Sequence, residues 1–339
     1  MIRVTFNKLF EACVVLFLIS MAVYALIGLM PGDPIDIMLA ANPHATAEDA
    51  ARLRALYGLD RPLWERYVDW AAGFLSGDLG HSRLFNQPVA DLLGVAFMNT
   101  LVLLGCAMIT ALSLALPLGV YSACRPHGMG AKLINLLCYA GISIPPFWLG
   151  LLLITVFSVA AGWLPAGGMP PVRAASGAYA GANSSAFLPF HYYILPVAAL
   201  ALASVGGYIR YIRAGMIEAL SADHIRTARA KGLSPARIII HHALPQAMIP
   251  VITVIALDFG TLFSGAVITE TIFNWRGMGR LVYDAIMGND YHLALSALLL
   301  ITAMIVAANM MADLLYRFLD PRIRSAADKT RSTKSGGGA

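Results

Sequence analysis

One carboxylate stands in the middle of an apolar run. Asp258 lies within VITVIALDFGTLFSG, flanked by Gly260 and Ser264. An ionisable group at membrane depth is costly and marks a functional site by default. The small residues beside it let another backbone approach. The Asp258 carboxylate either faces a passage, where it attracts an ammonium or a cationic side chain, or pairs with a polar group on a neighbouring helix. Ser264, Pro145 and Pro146 join it as pathway candidates. Neither proline can donate a helical hydrogen bond, so a kink is expected at Pro145-Pro146. A kink either frees backbone carbonyls to line a cavity or only shapes the packing. Glu270, at the far end of the Asp258 run, suits pairing with Arg276 or Arg280. Arg210 and Arg213 close the preceding apolar run, as interfacial anchors or as a switch that pairs with acidic groups when a gate shuts. Asp313 anchors or pairs near the end of the last run.

The long polar stretch between two apolar runs is EALSADHIRTARAKGLSPARIIIHHALP, residues 218–245. It reads as two short helices with a sharp corner. Ser221 is the expected cap of the first, with Asp223 in its first turn complementing the helix dipole. Arg226, Arg229 and Lys231 crowd its other end. Gly232 suits the position after the helix and Leu233 the hydrophobic contact that follows it. Ser234 caps the next helix and Pro235 takes its first position. Ala222, Ile225, Ala228 and Gly232 fall near one face and form a small-residue stripe inside a basic coat. Such a helix does not enter a membrane and suits a groove on a protein partner.

Other chemistry is excluded. The chain holds no GxxxxGK[ST], no HExxH and no GxSxG. Neither Gly128-Met129-Gly130 nor Gly277-Met278-Gly279 completes a nucleotide fingerprint. His241 and His242 are adjacent and point about 100° apart on a helix, a poor arrangement for one metal ion. Cys13, Cys106, Cys124 and Cys138 lie in or beside apolar runs with no CxxC spacing and read as packing residues. The chain is therefore not expected to be an enzyme, and no metal site is expected.

The elements that position these groups are membrane helices. Of 339 residues, 58% are hydrophobic and 13% charged, and the mean hydropathy is +0.69. A soluble domain carries roughly 25% charged residues. Apolar runs long enough to cross a bilayer place six spans near 9–30, 97–123, 132–160, 192–217, 246–271 and 291–317. The first run has basic flanks but no small-residue cleavage site and reads as a retained span. Basic residues gather before span one, between two and three, between four and five, and after span six. Both termini are therefore cytoplasmic. Residues 31–96 form an expected extracytoplasmic cap. One helix is expected to open at Thr46 with Glu48 or Asp49 and to stop at Gly58. In a second, Trp64, Tyr67, Trp70, Ala71 and Phe74 follow a helical period. That helix lies on the membrane interface or packs against the spans. The expected organisation is residues 1–30 as N-terminus and first span, 31–96 as cap, 97–324 as a core containing the 218–245 loop, and 325–339 as a disordered tail.

The run Thr227-Ala228, Gly232 and Ala243-Leu244-Pro245 resembles the cytoplasmic "EAA" loop of ABC-importer permeases. The variant around it, with Arg226 and His242 where the general pattern has Glu and Ile, resembles the dipeptide/oligopeptide/nickel branch, of the dipeptide-permease B-subunit kind. Further matches follow in order: Pro31-Gly32-Asp33-Pro34, Gly77-Asp78-Leu79-Gly80 with Ser82, Ser143 to Trp148, Leu164-Pro165 with Gly167, Thr269 to Phe273 with Gly277 and Gly279, and Asp320 to Arg324. The resemblance implies an all-α integral membrane protein of the type I ABC importer permease fold, multi-pass in the bacterial inner membrane. It implies half of a translocation pathway for a solute, most readily a di- or oligopeptide. The implied partners are a second homologous permease, two ATP-binding subunits and an extracytoplasmic solute-binding protein. ATP and Mg would be bound by those subunits, with no cofactor in this chain. In this frame Asp223, Ile225, Arg226, Thr227, Ala228, Arg229, Lys231 and Gly232 are the expected coupling residues. The competing expectation is a secondary transporter or channel that uses Asp258 as its coupling site. It predicts internal repeats and paired broken helices, and no clear duplication is visible.

Overall fold

The computed structural model describes residues 2–28, 46, 48, 52, 55, 60–168 and 190–319, with side chains undescribed at 2–7, 27, 259–265 and 313–319. The expected helix from Thr46 to Gly58 lies largely outside these residues, as do the Pro31–Pro34 and Asp320–Arg324 motifs and the tail. The helices are α1 (Ile2–Gly28), α2 (Leu63–Ser76), α3 (Val89–Cys124), α4 (Met129–Ser143), α5 (Pro146–Leu153), α6 (His191–Ser221), α7 (Asp223–Ala230), α8 (Pro235–Ile238), α9 (Leu244–Ile272), α10 (Met278–Met287) and α11 (Tyr291–Leu319). Two-residue strands β1 (His81–Ser82) and β2 (Gln87–Pro88) pair antiparallel before α3. Among the described residues five helices are long and apolar enough to cross a membrane, or six when the bent pair Met129–Ser143 and Pro146–Ala160 counts as one span. The spans agree with the six apolar runs, but two are longer than expected. The helix of span two starts at Val89, and span five is entered directly from Pro235.

The chain divides into two compact units. The first holds residues 1–101, 169–188 and 274–304. Within it α2 lies on α1, where Tyr67 Oη and Ser20 Oγ are 2.8 Å apart. Tyr24 meets Tyr67 edge-on, with ring centroids 5.4 Å apart. The start of α3 packs on α10 and α11 through Val89, Leu92, Leu281, Ala285 and Leu293. A polar brace closes this unit. Asp290, 2% exposed, accepts hydrogen bonds from Ser82 Oγ (2.6 Å) and from the backbone N–H groups of Leu84 (3.0 Å) and Leu293 (3.3 Å). A buried carboxylate needs such partners. A second clamp holds the turn before α10. Asn99 donates to the Arg276 carbonyl (2.8 Å), Trp275 Nε1 to the Asn99 carbonyl (3.2 Å), and Met278 N–H to Thr100 Oγ1 (2.8 Å).

The second unit holds residues 102–168, 189–273 and 305–339. Helix α6 is its axis. Small residues bring its neighbours to backbone contact, as is usual for membrane helices. A Cβ on Gly206 would lie 2.9 Å from the Cys138 carbonyl oxygen, and one on Gly215 would lie 2.8 Å from that of Ala247. Span three is not merely kinked. Ile144 and Pro145 are extended, Pro146 starts a new helix, and the two halves meet at 102°. Each proline drives the residue before it out of the helical region, so two in succession make a corner. After α5 the helix widens into a π turn at Ile154–Ala160. The following loop is pinned to the end of α9 by Gly168 N–H on the Phe273 carbonyl, 2.6 Å.

Candidate functional site

The polar loop folds around α7. Its N-terminus differs from expectation. Ser221 is the last residue of α6, and its hydroxyl donates back to the Glu218 carbonyl at 2.7 Å. This back-bonding removes it from capping, and extended Ala222 occupies the cap position with no side-chain cap. Asp223 does stand in the first turn. The C-terminus follows expectation closely. Gly232 adopts φ +73°, and its N–H donates to the Arg229 carbonyl while that of Leu233 donates to Ala228. These are the two bonds of a Schellman motif. The left-handed residue turns the chain sharply into Ser234 and Pro235. Ser234 has cap geometry, though its hydroxyl makes no cap bond.

The middle of the small-residue stripe, Ile225 and Ala228, faces inward, while Gly232 at its end is exposed. Ile225 is 0% and Ala228 5% exposed, and both belong to one core with Ile212, Met216 and Ala219 of α6 and Ala247 of α9. They are thus not available to a partner's groove. Burying an isoleucine side chain contributes about 1.5–3 kcal/mol, so α7 is held to the spans rather than hung beside them. Its open surface is Asp223, His224, Arg226, Thr227, Arg229, Ala230 and Lys231, continued by Gly232. Asp223 and Arg226 approach to 3.5 Å across that surface, both largely exposed. The second short helix is not separate. Helix α8 continues through a π turn at Ile239–Ala243 into α9. The family-like residues Ala243 and Pro245 sit at that junction, where a π turn suits a proline that lacks an N–H. His241 and His242 are exposed there. Among the described residues no group of His, Cys, Asp and Glu is arranged to hold a metal.

Higher in the same unit, the Asp258 carboxyl group interacts with the Tyr208 hydroxyl on α6. Tyr208 is 1% exposed, and its hydroxyl is buried without a hydrogen bond of regular geometry among the described residues. Asp258 is half-buried. The polar neighbour anticipated for it therefore exists, on a packed helix face. Tyr208 was not singled out by the sequence. A hydroxyl within an apolar run, which needs a partner when buried, was the available signal. The Ser264 side chain lies outside the described residues. Pro145 and Pro146 are exposed at the corner of span three, beside exposed Phe147 and Trp148. Arg210 is exposed, with its guanidinium 5.6 Å above the Tyr139 ring, a cation–π contact that anchors it. Arg213 Nε is buried with no hydrogen-bond partner among the described residues. Glu270 is fully buried near the end of α9. Arg280 is held by Asp284 one turn on, at 2.9 Å.

The unit is thus centred on α6 and carries α7 anchored inward beneath an exposed basic face. The fold is similar to that of the MetNI methionine ABC transporter in an inward-facing form, with TM-score 0.51 over 68% of this chain and 96% of that one at 17% identity. The chain belongs to the family of binding-protein-dependent transport system inner membrane components, which matches residues 115–325, with the N-terminal part of that component matching 1–116. It is similar to the oligopeptide transport system permease protein AppB of Bacillus subtilis (strain 168), 35% identical over 306 residues that cover 90% of this chain and 94% of AppB. It is also similar to the di/tripeptide transport system permease protein DppB of Pseudomonas aeruginosa (strain UCBPP-PA14), 37% identical over 321 residues, covering 91% and 94%. The chain is thus a multi-pass inner-membrane permease of an ABC importer that works with ATP-binding and substrate-binding partners, rather than a secondary transporter.

Proposed function

We propose that this chain forms half of the translocation pathway of an ATP-driven importer of di- or oligopeptides. A second homologous permease supplies the other half. Two ATP-binding subunits hold ATP and Mg, one of them docks on α7, and an extracytoplasmic solute-binding protein delivers the peptide. ATP binding closes the paired ATPase subunits, α7 moves with them, and α6 and α9 follow because Ile225 and Ala228 share one buried core with their side chains. The passage then opens outward, takes the solute and is reset by hydrolysis. The inward burial of Ile225 beneath an exposed basic face is the observation that carries this reading. It makes α7 a rigid lever rather than a tether. The peptide assignment is supported by the similarity to AppB and DppB, permeases of oligopeptide and di/tripeptide transport systems. Asp258 beside Tyr208 suits a contact with the peptide's ammonium group. Asp258→Asn is expected to lower uptake of peptides with a free N-terminus more than that of N-acetylated ones, and equal uptake of both would remove Asp258 from the solute path.

The test is to purify the chain from its native membrane and identify what comes with it. Recovery of a second permease and ATP-binding subunits with ATPase activity, lost when residues 223–233 are replaced by a Gly-Ser linker, supports the proposal. A chain recovered alone, with uptake driven by an ion gradient, overturns it.

A further inference from the structure

Helix α2 presents three strips. Leu63, Tyr67 and Trp70 face α1, and Phe74 packs on Trp70. Leu63 Cδ1 would meet a Cβ on Gly28 at 2.8 Å, and the rings of Tyr67 and Trp70 lie 5.4 and 5.9 Å from that of Tyr24. Glu65, Asp69 and Ser76 form a polar strip, with Arg61 paired to Glu65 at 3.2 Å and to Asp69. Between the two, Trp64, Val68 and Leu75 fall within about 40° of one another on the helix. They are 67%, 56% and 86% exposed. A helix in water has no reason to leave a tryptophan and two aliphatic side chains open beside an ion-paired polar strip.

The depth of α2 identifies what covers the open strip. The apolar run of α1 extends over Lys8–Leu26. Tyr67 Oη meets Ser20 Oγ at 2.8 Å, and its ring lies 6.5 Å from Phe17. Ser20 is six residues inside Leu26, about 9 Å of helix rise. The contact therefore lies well within the hydrocarbon. Along the same run of α1, Leu18, Met21 and Leu26 are also about half or more exposed. We propose that α2 is embedded along α1 in the extracytoplasmic leaflet, with Trp64, Val68 and Leu75 against lipid acyl chains and Glu65, Asp69 and Ser76 towards the headgroups and water. Its three strips match those of a helix lying in a membrane interface. The cap is then moored in the bilayer, and Arg61 bridges Glu65 and Asp69 and offsets part of their charge at its boundary.

The experiment uses the assembled importer in nanodiscs whose lipids carry bromine on the acyl chains. The fluorescence of Trp64 is the difference between the native chain and a Trp64→Phe variant, which keeps the position apolar. Leu75→Trp and Ser76→Trp, each in the Trp64→Phe background, report from the apolar and polar strips. Brominated lipid is expected to quench Trp64 and the Leu75→Trp probe strongly, while aqueous iodide quenches the Ser76→Trp probe. Iodide quenching of Trp64 and of the Leu75→Trp probe overturns the proposal by placing the strip in water. Quenching of these two by neither agent overturns it by placing the strip under another protein subunit.

Discussion

Helices α7 and α2 are both short and both laid against a longer helix, and they differ in what they leave open. The eight residues of α7 bury Ile225 and Ala228 and expose a basic coat. The fourteen of α2 set aromatic rings against α1 and expose Trp64, Val68 and Leu75. A cationic face does not enter hydrocarbon and is open to a protein. An apolar face with exposed tryptophan suits the bilayer boundary. Anchor chemistry differs to match. Closely packed aliphatic side chains transmit displacement because a packed core does not deform continuously. Helix α2 is seated instead by a stack of rings and the Tyr67–Ser20 hydrogen bond. The two proposals thus give α7 the part of a lever and α2 that of a mooring.

The sharpest way to break the comparison is at the corner after α7. Gly232 sits at φ +73° and donates its N–H to Arg229. Proline fixes φ near −65° and has no N–H, so Gly232→Pro cannot keep the turn. Transport is expected to be abolished while ATPase activity persists without stimulation by the loaded binding protein. Paired uptake and phosphate-release measurements on reconstituted importer check this, and normal uptake would show that α7 is no lever. Next in size is Ile225→Ala. Truncating a fully buried isoleucine costs about 2–5 kcal/mol. Most of that loss falls on the seat of α7, so faster amide exchange over residues 222–233 is expected, with more ATP hydrolysed per solute moved. Unchanged exchange would mean that the seat does not depend on Ile225.

On the mooring side the expected effect is smaller. Tyr67→Phe removes the hydroxyl that meets Ser20 and keeps the ring stack. A hydrogen bond of this kind contributes about 0.5–1.5 kcal/mol. A slight fall in the unfolding temperature of the detergent-solubilised chain is expected, with transport intact. A large loss of transport would give α2 a mechanical role and collapse the distinction.

The spans, the corner at Gly232 and the aromatic period of α2 were legible because each is local: a run of apolar residues, a glycine after a basic turn, a repeat of Trp, Tyr and Phe. What escaped the sequence is pairing at a distance. Ser82 and Asp290 meet across the length of the chain, and so do Asn99 and the Trp275 turn. Nothing in either residue's neighbourhood names its partner. The direction of the stripe on α7 was also misplaced. Periodicity shows that Ile225 and Ala228 share a face with the helix neighbours, but not whether that face meets the chain's own spans or a partner. Ser221 went wrong for a similar reason. Its hydroxyl serves the helix before it as readily as the one after, and the choice turns on where α6 ends. The two prolines of span three gave a bend, while its size depended on both preceding residues becoming extended.

The smallest effect on the fold, and the finest test of the comparison, is Arg226→Ala. Its ion pair with Asp223 is long at 3.5 Å, and the two side chains are 77% and 95% exposed. Exposed pairs of this kind contribute little to stability, so the unfolding temperature of the isolated chain should not move. Association with the ATP-binding subunits should still weaken, because on the lever reading Arg226 belongs to the face they meet. Truncating a charge at the rim of an interface mainly changes the association rate and its salt dependence. The loss should therefore be largest at low ionic strength and fade as salt is raised. Binding kinetics of the variant measured across a salt series read this directly. If stability falls instead and association is unchanged, the basic coat belongs to the fold of the loop, and the open face of α7 is a solvated surface rather than a docking one.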